Sequence, residues 1–262
     1  LTEVVDGRFA RENFEDGTGN LYKETWPFDA DGAPQTEKRL LDGLETNEDE
    51  QPSVEIIAGF ATEFAAAPSE QRLGVLERWT DVDLLLRTFV VDRAIKNDDG
   101  ALHWYCIPDC APHNFFWYEE PTLRRLVFIP WDLDNAFSAL TPGSPVGGFI
   151  GIADEWGEAP RSCEQFTFGS MDLPQRSAGC DPLISALGSL GARFDEIRAD
   201  FLAGPFAEER TTALLDDWSA QIEPAVAEAA AAHDDAPSVE RWRAAVTELK
   251  DALVVSRAGN GR

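Results

Sequence analysis

Between Asp92 and Asn135 the chain reads DRAIKNDDGALHWYCIPDCAPHNFFWYEEPTLRRLVFIPWDLDN, with acidic and amide side chains punctuating its most aromatic stretch. Asn114 opens an apolar run, NFFWY. A polar turn, EEPTLRR, follows, and a second apolar run, LVFIPW, leads into Asp132 and Asp134. Two apolar runs joined by a short polar turn predict a β-hairpin over 114–131. Antiparallel pairing sets the start of the first strand beside the end of the second, so Asn114 and Asp132 are expected side by side. An amide oxygen next to a carboxylate oxygen is a hard-oxygen pair. It suits Mg²⁺, which takes one or two protein ligands and completes its shell with phosphate and water. Upstream, Asn97-Asp98-Asp99-Gly100 ends an apolar, helix-patterned segment and can bring a further carboxylate, from Asp98 or Asp99, to the same place. A base, an amide ligand and a metal carboxylate, in that chain order, are the parts of a phosphoryl-transfer site.

The order NDD, HNFFWY, FIPWDLD, preceded far upstream by GNLYKE, resembles the CotH kinase family, the relatives of spore coat protein H. The resemblance runs over nearly the whole chain. It implies an α+β, protein-kinase-like two-lobe fold in a single domain, 1–262. A truncated small β lobe would occupy 1–50, and a mainly helical large lobe, carrying the active-site hairpin 114–131, would occupy 51–262. It implies Lys23 as the nucleotide-binding lysine and Asp99, with Asp98 as the alternative, as the catalytic base. Asn114 and Asp132 would be the metal ligands, with ATP and Mg²⁺ as the cofactors. The implied reaction moves the ATP γ-phosphate to serine or threonine of a coat or surface protein, at an extracellular or cell- or spore-surface location.

One departure separates the chain from ordinary kinases. A Cys-containing insert lies between Asp99 and Asn114, where ordinary kinases have a compact loop, and this leaves the choice between Asp98 and Asp99 open. A lysine on a strand is, taken alone, a surface residue, so the role of Lys23 rests on the resemblance. Its glutamate partner could be Glu3, Glu55 or Glu63. Two rival classes remain: a non-catalytic coat or surface protein, or adhesin, that keeps the fold for binding, and a metal-dependent hydrolase that uses the Asp cluster without Lys23.

Within the insert, His103, Cys106, Cys110 and His113 have the ligand types and close spacing of a small zinc site. Cys163 and Cys180 bring the cysteines to four. Four cysteines and secreted relatives favour two disulfides instead, most simply Cys106 with Cys110 and Cys163 with Cys180.

The elements that must carry these residues are legible from periodicity. Leu1 to Asp6 reads as a strand, Arg8 to Asn13 as a helical turn, and Asp16 to Asn20 as a turn that feeds a short strand bearing Lys23. A polar stretch from Asp29 to Gln51 reads as a loop with one short helix. Helices are expected from Ser53 to Pro68, from Ser69 (as cap) to Trp79, and from Val82 to Lys96 behind Asp81. The last of these is apolar on most of its circumference and would hold Asn97 to Asp99 rigidly. Thr141 to Gly179 reads as a long irregular region in which Asp154 is a loop cap. Beyond it helices run over 182–190, 193–203, 205–232, with a bend at Pro224, and 238–256.

Acidic residues outnumber basic ones 48 to 22, for a formal charge of −26. That balance argues against nucleic acid and anionic membrane surfaces, which are bound through Lys and Arg. It reads as a solvated surface. No stretch reaches the roughly 20 apolar residues of a membrane helix. The chain starts in a strand already under way and stops, at VVSRAGNGR, without a clear terminal element, which leads to the expectation of a fragment whose missing N-terminus holds a secretion signal and part of the small lobe.

Overall fold

The computed structural model describes residues 3–48, 52–97, 99–107, 109–137, 157, 162–168 and 173–259. In chain order the elements are α1 (Gly7–Asn13), β1 (Leu21–Lys23), α2 (Glu37–Asp42), α3 (Glu55–Ala66), α4 (Arg72–Trp79) and α5 (Val82–Ala94). Then come β2 (Trp104–Cys106), β3 (Cys110–Ala111), β4 (Phe115–Glu120), β5 (Arg125–Pro130), β6 (Phe166–Phe168) and β7 (Leu173–Arg176). The chain finishes with α6 (Pro182–Gly188), α7 (Gly191–Ala203), α8 (Glu208–Ala232) and α9 (Val239–Gly259). This is a mixed α+β fold with two antiparallel sheets.

Strand β4 is the centre of the first sheet, between β1 and its hairpin partner β5. Phe116 pairs with Ile129, Trp117 with Phe128 and Tyr118 with Val127. Because successive strand residues point to opposite faces, Phe115, Trp117, Leu126 and Phe128 enter the main core with Phe60, Leu76 and Phe89 of α3, α4 and α5. Phe116, Tyr118, Val127 and Ile129 meet α1 on the other face, through Phe9 and Ala10. Covered on both sides, β4 is buried at every position. That is why NFFWY reads as a continuous apolar run without alternation.

Several expectations need correction. Glu3 to Asp6 is irregular rather than a strand; the Asp6 carboxylate instead caps α1 by accepting the N–H groups of Arg8 and Phe9, at 2.8 and 3.0 Å. Asp at such a position offers the backbone a local alternative to a ladder. Ser69 does not cap a continuous helix: it opens a separate 3₁₀ turn, Ser69–Gln71, ahead of α4. Helix α5 stops at Ala94 because Lys96 is left-handed, φ 51°, and the Asn97 amide turns back to Asp92 Oδ1 at 2.8 Å. It is less enclosed than its composition suggests, since Leu84 is 40 % exposed.

The stretch 141–179 is not wholly irregular. β6 and β7 join β2 and β3 in a second sheet of order β3-β2-β7-β6. These strands are two to four residues long, too short for any periodicity to register, and their pairing is non-local. Asp98 and Asp154 lie outside the described residues. Both expected disulfides are formed, Cys106–Cys110 across the β2–β3 turn and Cys163–Cys180. Their formation removes the thiolates that a zinc site would need. No described helix is long and apolar enough to cross a membrane.

Candidate active site

Asn114 and Asp132 both lie at the open end of the hairpin, with Asn114 opposite Trp131 rather than Asp132. Beyond the last registered pair, Phe115 with Pro130, the Trp131 N–H donates to the Asn114 carbonyl at 2.9 Å, and Asp132 follows at once. Both proposed ligands leave their strands in the left-handed region, Asn114 at φ 56° and Asp132 at φ 51°. Asn and Asp tolerate that region better than other non-glycine residues. Glu24 (46°), Lys96 (51°) and Phe137 (64°) share it, in the segments that meet here. Strained backbone of this kind collects at functional sites and persists only where the surroundings over-determine it.

Asp99 is brought to the same end by Asn114, whose Nδ2 donates to the Asp99 backbone carbonyl at 2.9 Å. That bond fixes the amide and leaves its oxygen available. The Asp99 carboxylate is half-buried: Asn135 Nδ2 lies 3.5 Å from Oδ2, and Oδ1 is buried with no hydrogen-bond partner. Burial pushes the Asp99 pKa up. Hydrogen bonds from Tyr105 and Asn114 and the nearby His113 pull it back, and Glu24 adds to the rise. A carboxylate of raised proton affinity in a polar cluster is suited to accept a proton. Tyr105 is in turn held protonated, first by burial and then by the Asp99 charge, and its ring stacks on His113 at 3.8 Å between centroids. Burial lowers the His113 pKa, against the pull of Glu24 and Asp99.

Lys23 ends β1, where its backbone pairs with Phe116. Strand alternation sends Tyr22 into the main core and Leu21 to the α1 side, so Lys23 shares the α1 side. Its Nζ sits 4.2 Å from the Trp131 ring centroid, one residue before Asp132. Among the described residues Lys23 makes no ion pair, and none of Glu3, Glu55 and Glu63 is its partner. Glu63 is engaged by Arg78 and by the Trp79 indole, the latter at 2.7 Å.

Glu24 was not singled out in the sequence, although it stands inside GNLYKE. Its carboxylate accepts the Asn114 N–H at 3.1 Å, while its own N–H donates to the Phe115 carbonyl. A glutamate next to a lysine reads as a solvated charge, and only the pairing of β1 with β4 shows otherwise. Tyr105 and Asn135 also escaped notice, because each reaches Asp99 through contacts 6 and 36 residues apart in sequence. A recess of about 360 Å³ opens beside Glu24, lined by Trp26, Phe28, Arg39, Trp104 and Asp109.

The donor set fits Mg²⁺. The Asn114 amide oxygen accepts no hydrogen bond among the described residues, and Asp132 is exposed. Both are hard oxygen donors. Few protein ligands, with water and phosphate completing the shell, is the Mg²⁺ pattern.

A search of curated proteins gives no match to this chain. The family described as CotH kinase protein matches residues 1–254 of the 262. With that match covering nearly the full length, the chain belongs to the CotH kinase family.

Proposed function

We propose that this chain is a Mg²⁺-dependent protein kinase that transfers the ATP γ-phosphate to serine or threonine of a coat or surface protein, outside the cell or on its surface. One kinase-like domain over 1–262 would combine a reduced small lobe, 1–50, with a helical lobe, 51–262. The family membership supports kinase chemistry, and the two disulfides suit an oxidising location. The observation that carries the reading is the 2.9 Å bond from Asn114 to the Asp99 carbonyl, which joins base and metal ligand at the mouth of the hairpin.

Asp99 orients the acceptor hydroxyl and takes its proton. Lys23, with no carboxylate partner among the described residues, binds nucleotide phosphate through its charge. Asn114 and Asp132 would hold Mg²⁺, which supplies neutralisation of the charge on the transferring phosphoryl group.

The test is incorporation of labelled γ-phosphate into the protein itself and into a coat or surface extract. Asp99→Asn should lower transfer about 10²–10⁴-fold, the usual contribution of a general base, and keep Mg·ATP binding. Asp132→Asn and Lys23→Met should weaken that binding. Asp98→Asn is the control for the base; loss of transfer there, with Asp99→Asn active, would move the assignment by one residue. Wild type that binds Mg·ATP without transfer above the Asp99→Asn background would establish the non-catalytic coat or adhesin reading instead.

A further inference from the structure

We propose that Glu24 is a positioning residue of the phosphotransfer site: its carboxylate sets the backbone of the metal ligand Asn114 and ties it to the strand that ends in Lys23. The proposal rests on the kinase reading given above. Its starting point is that Glu24, besides its charge, touches the site through an oxygen. Glu24 Oε1 accepts the Asn114 N–H at 3.1 Å, across 90 residues of sequence.

The backbone makes this contact specific. β1 ends at Lys23, and Glu24 then turns left-handed, φ 46°, while its N–H still donates to the Phe115 carbonyl at 3.0 Å. Glu24 therefore bonds to both residues at the start of β4, through its main chain to Phe115 and through its side chain to Asn114. A non-glycine residue adopts that conformation only at an energetic cost, so it needs compensation. The carboxylate bond supplies it.

Asn114 is left-handed as well, at φ 56°, and its N–H faces away from the ladder into this bond. With its main chain held from the Glu24 side, the Asn114 amide reaches the Asp99 carbonyl, and its oxygen is left for a cation. Glu24 thus joins the nucleotide lysine, the metal ligand and the base in one chain of contacts. An outer-shell partner that orients a ligand in this way typically changes metal affinity or activity 10–100-fold when removed.

Three substitutions separate the acceptor oxygen from the charge and from the backbone strain. Glu24→Ala removes the acceptor, Glu24→Gln keeps an oxygen without the charge, and Glu24→Gly relieves the left-handed backbone without replacing the acceptor. The readouts are the Mg²⁺ dependence of binding of a fluorescent ATP analogue, the kcat and KM of transfer, and the thermal midpoint. Glu24→Ala and Glu24→Gly should both weaken Mg²⁺-dependent nucleotide binding about 10–100-fold and lower kcat. Glu24→Gln should return within about 5-fold of wild type, the margin between a charged and a neutral acceptor. Alanine equal to wild type overturns the proposal, and so does glutamine as damaged as alanine, which would make the charge the active feature. A lowered midpoint with unchanged binding and kcat per folded molecule assigns Glu24 a structural role only and overturns it too. Wild type that binds no Mg·ATP defeats the kinase reading first, and this proposal with it.

Discussion

At the two ends of one hairpin, β4–β5, Glu119 and Asp99 are held in opposite ways. At the closed end Glu119 is 3 % exposed and satisfied: it accepts the Ile57 N–H at 2.8 Å, the Asn20 amide at 2.9 Å, and a hydrogen bond from Tyr22. Ile57 lies in the first turn of α3, whose N-cap, Val54, supplies no side-chain acceptor. A carboxylate from the sheet therefore caps that helix, stabilised by the helix dipole. At the open end Asp99 keeps a buried oxygen without a hydrogen-bond partner, and Asp132 is exposed in a strained backbone. Satisfied polar groups specify a fold, whereas an unsatisfied one keeps bonding capacity that water, an ion or a ligand can take up; Glu120 Oε1 at the closed end is a second such oxygen.

If that contrast is right, damage at the two ends should fall on different observables. The largest effect is expected at the open end. Asn114→Gly removes the amide but suits the left-handed backbone, so Mg²⁺-dependent transfer should fall by about 100-fold or more, with the unfolding midpoint near wild type. Measuring both on one preparation breaks the comparison if the midpoint moves and transfer does not.

At the closed end Glu119→Ala strands the Ile57 N–H and takes one of three acceptors from the Asn20 amide, which keeps the Tyr22 hydroxyl and the Ser53 carbonyl. It should cost about 2 kcal/mol in denaturant unfolding, the scale of a hydrogen bond to a charged group, with kcat per folded molecule unchanged. Glu119→Gln sharpens this through pH. Burial raises the Glu119 pKa above its ordinary 4.5, so its stabilising contribution is complete below the unfolded value and is lost as pH rises through the folded one. Glutamine does not titrate. The stability of wild type relative to Glu119→Gln should therefore decline as pH rises from about 4.5, and a gap that widens instead would mean that the donors from Ile57, Tyr22 and Asn20 outweigh burial and lower the pKa.

The smallest effect compares the two disulfides. On chain entropy the 17-residue separation of Cys163–Cys180 is worth about 3 kcal/mol and the 4-residue separation of Cys106–Cys110 about 2 kcal/mol. Paired serine substitutions should differ by about 1 kcal/mol in stability. The shorter bridge also closes the turn after Tyr105, which bonds Asp99, so only its removal should lower transfer. Equal activity in both variants would detach Tyr105 from the site.

What the sequence determined by itself is local. Apolar runs and turn residues specify the hairpin 114–131, helical periodicity specifies α3 to α5, and the hairpin alone implies that Asn114 and Asp132 are neighbours, because register follows from the turn. The cysteine pairing was legible for a similar reason, since each bridge spans a short loop. Tertiary structure decided the rest. Lys23 stands over Trp131 rather than beside a glutamate, Glu24 holds Asn114, and Tyr105 and Asn135 turn to Asp99. Each of these joins segments that carry no common periodicity, and each depends on a backbone turn that many sequences could take or refuse. The second sheet is the same case: strands of two to four residues are stable only when paired, so no single strand announces itself.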